Sequence, residues 1–270
     1  ARFSRSELSG LVLRRACLAA SPARDASSEA RKPRLPASGA CRARVYNSRM
    51  SGPHSEDELS AVYAQRRARL VQQMGRGVVV VATAPERIRN RDAHYLYRYD
   101  SYFYYLTGFM EPEAVLVAIA GAQPKCILFC RERDAEREIW DGFRYGVEQA
   151  RTKFGFDESH PIAELDALMP KLLADQPELH CHLGDDPGWD ERVLGWLKAV
   201  RAQARNGVAA PAAVRDVHAL LDDMRLTKDV HELAAMRRAA QISTGAHRRA
   251  MRAARPGRAE FEIEAELLHE

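Results

Sequence analysis

The chain has 270 residues, 46% of them apolar, 29% charged and 7% aromatic, with 16 Gly and 13 Pro. That length holds one large domain or two modest ones with a buried core, and the composition excludes collagen-like, coiled-coil and wholly disordered chains. The net charge of +4 is unevenly spread: residues 1–50 carry 11 Lys/Arg against three acids, a net of +8, which leaves the remaining 220 residues at −4 and gives no electrostatic case for nucleic-acid binding there.

Residues 1–50 are rich in Ala, Arg, Ser and Pro, lack sustained periodicity, and are expected to form a disordered basic tail outside the fold. A mitochondrial transit peptide shares that Arg- and Ser-rich, acid-poor composition. The break in composition at Met50 favours instead a natural start at that methionine. From Ser51 the pattern changes. Ser55 to Glu58 opens a helix that runs to about Met74, where Gly75-Arg-Gly77 stops it. Val78 to Ala82 reads as a strand buried on both faces, and Ala84 to Asp92 as a polar loop. Three more strands are predicted at Tyr102–Leu106, Ala114–Ala120 and Cys126–Cys130, separated by Gly- and Pro-containing turns. Helices are predicted at about Ala135–Ile139, Gly146–Phe154, Ile162–Ala174 and Asp190–Gln203, with a strand at Leu179–Leu183 between the last two. Strands interleaved with helices indicate an α/β domain over residues 51–215.

Residues 216–270 differ. Val214 to Met224 is predicted helical and Leu226-Thr-Lys228 is a joint. Asp229 and Glu232 have the spacing of a capping box at the head of a helix that reaches Ala254. Its less polar stripe is Leu233, Met236, Ala240, Thr244 and His247. Pro256-Gly257 ends it, and Glu260 begins another helix. Two helices without a sheet cannot close a core, so this segment reads as a linker and the start of an incomplete second domain.

Few motifs carry chemistry. The chain has no HExxH, GxSxG, P-loop or strand-borne GxGxxG. Cys17, Cys41, Cys126, Cys130 and Cys181 lack CxxC spacing, which fits a reducing cytoplasm, and Cys126 and Cys130 share one strand face as structural thiols. His180 and His182 fall on one strand face with no further ligand nearby and are expected to be structural, as is His247; Glu262, Glu264 and Glu266 read as a solvated face. No apolar run approaches the ~18 residues of a membrane span. Eight of the 20 aromatics lie between Tyr95 and Phe109, interleaved with Arg98 and preceded by Arg87, Arg89 and Arg91. That run is either a stacking surface for single-stranded nucleic acid or a packed domain or subunit interface, and the pattern favours packing.

In the same stretch, Tyr97-Arg98-x-x-Ser101-x-Phe103-x-Tyr105-Leu106-Thr107-Gly108-Phe109-x-Glu111-Pro112-x-Ala114-Val115-Leu116-Val117 closely resembles the N-terminal domain of bacterial-type Xaa-Pro aminopeptidases (aminopeptidase P). Arg66-Arg67, Ala84-Pro85-Glu86, Glu138-Ile139-Trp140-x-Gly142, Arg205-Asn206, Ala210-Pro211, Met224-Arg225-Leu226-x-Lys228 and Met236-Arg237-Arg238-Ala239 agree in order. The resemblance covers about 55–270. It implies an α/β domain with a mixed β-sheet flanked by helices, followed by the opening helices of a "pita-bread" metallopeptidase domain. It also implies an enzyme that releases the residue preceding a proline in second position, using two divalent ions, usually manganese, held by two Asp, one His and two Glu. All five ligands would follow Glu270, so the chain alone is expected to be inactive. The resemblance places Asp92 and Arg205 near the substrate's free amino end and Trp140 on a loop reaching a neighbouring subunit's active site. It further implies a homo-oligomer formed through the N-terminal domain, peptide substrates, no nucleic-acid or membrane partner, and a cytoplasmic location, or a mitochondrial one should residues 1–50 act as a transit peptide. The other functional classes are a stand-alone binding or assembly module of the same fold and a single-stranded nucleic-acid-binding domain.

Overall fold

The computed structural model describes residues 56–270, so the expected disordered tail of residues 1–50 lies outside the described residues. Helix α1 (Glu56–Met74) leads to strand β1 (Gly77–Ala82), a small hairpin β2 (Ile88–Asn90) and β3 (Ala93–His94), and helix α2 (Ser101–Thr107). Strands β4 (Val115–Ala120) and β5 (Lys125–Cys130) precede helices α3 (Ala135–Asp141) and α4 (Gly146–Phe154). Then come β6 (Glu158–Pro161), α5 (Leu165–Leu173), β7 (Glu178–His180), α6 (Pro187–Arg201) and β8 (Ala213–Arg215). Helices α7 (His218–Leu226), α8 (Val230–Ala253) and α9 (Glu260–His269) complete the described chain.

Six strands form one mixed sheet in the order β6-β5-β4-β1-β7-β8. The central pairs β1–β4 and β4–β5 are antiparallel, with Val80 opposite Val117 and Leu116 opposite Leu128. The outer pairs β5–β6, β1–β7 and β7–β8 are parallel. Alternation along the central strands supplies two cores. Val79, Val81, Leu116, Ala118, Leu128 and Cys130 face one layer with α1, α2, α4 and α7. Val78, Val80, Val115, Val117, Ile127 and Phe129 face the other with α5 and α6. The continuous valines of β1 therefore have apolar partners on both sides, as the unbroken run predicts.

Three predicted assignments are corrected. Tyr102–Leu106 is not a strand but the body of α2. Its aromatics favour strands, yet both ends carry helix caps: Asp100 accepts from the Phe103 amide at 2.7 Å, and Gly108 sits at φ 67° with its N–H on Tyr104 O. A Cβ at Gly108 would meet the Tyr63 ring, so the position needs glycine for space as well as for φ. The polar loop at 84–92 contains hairpin β2–β3, turned at Arg91, and Tyr95 N–H to Arg87 O extends its pairing. The helix predicted from Val214 starts only at His218, because Ala213–Arg215 joins the sheet edge beside β7. Strands β6 and β8, of four and three residues, went unpredicted; each takes its place through parallel pairing at a sheet edge.

Arg67 ties three helices together. It is 2% exposed, and its guanidinium donates to Leu106 O at 3.0 Å, Phe154 O at 3.0 Å and Gly155 O at 2.6 Å while lying 4.3 Å from the Phe156 ring centre. These carbonyls close the ends of α2 and α4, where the backbone lacks helical donors. Arg67→Met keeps the stem and removes every donor. We expect it to cost about 3–5 kcal/mol in urea unfolding, against about 1 kcal/mol or less for a surface arginine. A loss below about 1 kcal/mol would show that water replaces the guanidinium.

Candidate functional site

The eight aromatics between Tyr95 and Phe109 do not form one surface. Phe103 and Phe109 are in the core, Tyr97 shares a hydroxyl contact with Thr83 at 2.9 Å, Tyr99 stacks on Tyr104, and Tyr105 lies under Arg66. Of the eight, Tyr95 alone is exposed. The run is packed inside the domain, which leaves no ring platform for bases.

Of the three residues singled out by resemblance, Asp92 and Arg205 lie on connections, while Trp140, expected on a loop, is in a helix. Asp92 is in the β2–β3 turn, Trp140 near the end of α3, and Arg205 in a short 3-10 turn after α6. All three are exposed, Trp140 at 87%. Among the described residues no hydrogen bond or ion pair joins them to one another or to the rest of the domain. Beside Trp140, Ile139 is also exposed, so α3 presents two large apolar side chains.

A cavity of about 760 Å³ opens at the C-terminal ends of β1 and β7. Its wall includes Thr83, Glu86, Glu113, His182, Asp185 and His218. Here the sequence expectation for His180 and His182 is corrected. β7 ends at His180, so the two rings part: His180 is buried, while His182 is partly exposed and meets side chains from 34 residues on. Its Nε2 is 2.8 Å from Asp185 Oδ2 and its Nδ1 3.3 Å from Asp216 Oδ1. The His218 ring stacks on it with centres 3.8 Å apart and planes 18° apart. Only the long-range pairing of β7 with β8 brings Asp216 and His218 there, and no local spacing announces it.

These residues do not fit the implied dinuclear metal centre. His182, Asp216 and His218 are the one group among the described residues whose ligand atoms gather closely enough for an ion. Near-parallel imidazoles direct their in-plane lone pairs side by side, not to a common point, and two Asp, one His and two Glu do not assemble anywhere among the described residues. The described part does not hold that centre. The thiols offer no substitute: burial pushes Cys130 and Cys181 up to about 12, so both stay protonated. His247 is exposed on α8, not in a core, with Nδ1 2.8 Å from Ser243 O. No helix among the described residues is long and apolar enough to cross a membrane.

At the opposite end of α7 the joint is built from charges. Lys228 Nζ donates to Arg225 O at 2.6 Å and Leu226 O at 3.1 Å, closing α7. Asp229 and Glu232 form the expected capping box on α8. The same Asp229 accepts from Arg66 at 2.7 Å, and Arg66 also donates to Tyr105 O at 3.1 Å and lies 4.2 Å from the Tyr105 ring centre. Beyond this contact α8 buries only Ala246, and α9 buries none of its side chains.

Residues 63–181 match the family "Aminopeptidase P, N-terminal domain". The chain is 38% identical over 211 residues to the Xaa-Pro aminopeptidase of Escherichia coli K12, covering 77% of this chain and 48% of that protein. It is 32% identical over 182 residues to mouse Xaa-Pro aminopeptidase 3, covering 62% of this chain and 33% of that one. The solved Pseudomonas aeruginosa aminopeptidase PepP superposes with a TM-score of 0.75 at 42% identity, over 80% of this chain and 48% of that chain. A zinc-substituted E. coli aminopeptidase P in complex with product gives the same TM-score at 37% identity, over 78% and 48%. The chain spans about half the length of the bacterial relatives it matches.

Arg66 is the measurable element of the joint. Arg66→Gln leaves the capping box intact and removes its only cationic anchor on α1. Hydrogen exchange at the His231 and Glu232 amides is expected to accelerate roughly tenfold, the size of one charge-assisted hydrogen bond, with β1 amides unchanged. Equal exchange in both proteins would mean that the helix is held elsewhere.

Proposed function

The chain carries an aminopeptidase P N-terminal domain, and from that premise we propose that the whole protein is a Xaa-Pro metalloaminopeptidase. Its substrates are peptides with proline in second position, and its metal is manganese, held as a pair by residues outside 56–270. Residues 51–215 are its N-terminal domain. Residues 216–270 are the linker and the start of the metallopeptidase domain, α7 being the part of that linker that packs Leu221 and Met224 into the first core. The working form is a cytoplasmic homo-oligomer assembled through the N-terminal domain.

The observation that carries this reading beyond sequence matching is the state of Asp92, Arg205 and Trp140. An indole left 87% exposed beside an exposed Ile139 does nothing for the stability of this domain. It suits the wall of a small apolar pocket completed by another subunit. Asp92 and Arg205 are exposed, and among the described residues neither side chain makes a hydrogen bond or ion pair. A carboxylate free at a site mouth can take the ammonium of a peptide's first residue, and a free guanidinium can orient an acidic group there.

The N-terminal domain contributes binding and orientation. The metal pair supplies the Lewis acidity and the nucleophile for peptide hydrolysis when the whole enzyme is loaded. Exposed helices α8 and α9 support the placement of the domain start: Met236, Met251, Phe261 and Leu268 are exposed although their helices are capped and formed.

The test compares two proteins on an Arg-Pro-Pro type peptide with manganese present. Residues 1–270 alone are expected to release nothing above a metal-free control, and the protein extended past Glu270 to release the first residue. In the extended protein Asp92→Ala and Trp140→Ala should each lower kcat/KM about tenfold, the equivalent of one charge-assisted contact or one buried aromatic face. Unchanged kcat/KM in both variants removes these residues from the site, and proline-specific release by residues 1–270 overturns the placement of the metal ligands.

A further inference from the structure

We propose that His182, as an imidazolium, is a pH-sensitive clamp that fastens the start of α7, and through it the joint into α8, to the edge of the sheet. A neutral imidazole has one N–H and one lone pair, whereas ionised carboxylates only accept. Both ring nitrogens of His182 face carboxylates, Asp185 at 2.8 Å and Asp216 at 3.3 Å. Only the doubly protonated ring satisfies both at once. In the neutral ring, one lone pair would oppose a carboxylate oxygen.

The held carboxylate is itself structural. Asp216 Oδ1 accepts from the His218 amide at 2.9 Å, so the oxygen gripped by His182 also satisfies the otherwise free N–H of α7's first residue. The ring of His218 lies on His182, and Tyr102 of α2 stacks on the other side of His218 with centres 4.2 Å apart. Tyr102 then donates to Asp222 of α7 at 2.6 Å and lies beneath Arg225 at 4.6 Å. Stacked imidazoles 3.8 Å apart tolerate one positive charge. The two carboxylates place that charge on His182, and the His218 ring lies between it and the Tyr102 phenol.

The charged groups around His182 favour its proton. Asp185 faces it from its own turn, Asp216 from the β8–α7 link and His218 from the first position of α7. Around the adjoining cavity stand Glu86 after β1, Asp100 before α2, Glu113 before β4, and Asp186 and Asp190 at the head of α6. The cavity's basic side chain, Arg192, is engaged by Asp166 at 2.6 Å. Burial opposes the charge, but the hydrogen bonds to Asp185 and Asp216 outweigh it and raise His182 above its ordinary 6.5. For a group raised on folding, the stabilisation is present in full below 6.5 and is lost as pH rises through the folded-state value. The clamp is therefore closed in mildly acidic solution and opens toward alkaline pH, with the proton released to solvent.

The test is a histidine-resolved NMR titration of the 270-residue chain, paired with thermal melts across the same pH range. His182 is expected to titrate above 6.5 and to move down in both Asp185→Asn and Asp216→Asn. The second variant retains an oxygen for the His218 amide, so the α7 cap survives while the charge is removed. The Tm difference between wild type and Asp216→Asn should be largest below 6.5 and shrink as pH passes the measured titration. His182→Gln should reproduce that pattern, and Asp185→Asn serves if it does not fold. A His182 titration at or below 6.5, one unmoved by either Asn variant, or a pH-independent Tm difference overturns the clamp. So does added zinc that shifts the His182 and His218 resonances together, which would make the trio a metal site.

Discussion

A guanidinium cannot be buried unless its donors find oxygens, and Arg67 meets that condition only where three helices converge. Its partners are carbonyls at the ends of α2 and α4, groups that would otherwise lack donors. The negative end of each helix dipole is there as well, so the charge and the two termini stabilise one another. Burial lowers the arginine's proton affinity, yet an arginine so placed stays charged. The consequence is geometric: α1 cannot slide along the sheet without breaking α2 and α4 at once. Since α2 sits between β1's exit and β4, its position in turn sets where the β2–β3 hairpin and Asp92 emerge.

What could be read from the chain follows the range of the forces involved. The valines of β1 and the apolar runs of β4 and β5 were legible because two-sided burial leaves an unbroken apolar signature. Helices α4, α6 and α8 were legible because their caps and apolar faces are local. Ser101–Thr107 misled because its aromatics prefer strands while its two caps, Asp100 and Gly108, prefer a helix, and the caps prevailed. Strands β6 and β8 were invisible for a different reason: each exists through parallel pairing with a distant partner at an edge. The same long-range pairing created the His182–Asp216 contact, so the strongest charge cluster of the cavity had no sequence signal at all.

The candidate peptidase residues stand at the other extreme. Asp92, Trp140 and Arg205 are exposed, and among the described residues their side chains have no hydrogen-bond or ion-pair partner, so neither periodicity nor capping marks them; only resemblance does. Their exposure is informative in a second way. A residue kept for folding shows partners in the folded domain, as Glu178 does at the sheet edge, where hydrogen bonds from Arg215 and Arg76 hold its carboxyl down to about 2. Trp140 has no such account inside the domain, and an exposed indole favours withdrawal from water. The domain's own physics leaves that surface unexplained, which directs attention to what lies across it.

Helix α7 is the element on which these lines meet. Its inner face belongs to the first core through Leu221 and Met224, and Tyr105 Oη donates to Met224 O at 3.3 Å. Its first turn is held by Asp216 under His182, and its last by Lys228 on the carbonyls of Arg225 and Leu226. Immediately afterwards Asp229 turns the chain into α8 while bound to Arg66. A short helix fixed along one face and at both ends transmits direction, because none of its remaining freedoms can absorb a rotation. The orientation in which α8 leaves is therefore set by the preceding α/β fold through two charge contacts, Asp216 with His182 and Asp229 with Arg66. Of the two, the contact at the head of α7 is made by an imidazole, whose proton the carboxylates of Asp185 and Asp216 favour. Proton concentration therefore acts on the joint at the head of α7, on the side of the cavity.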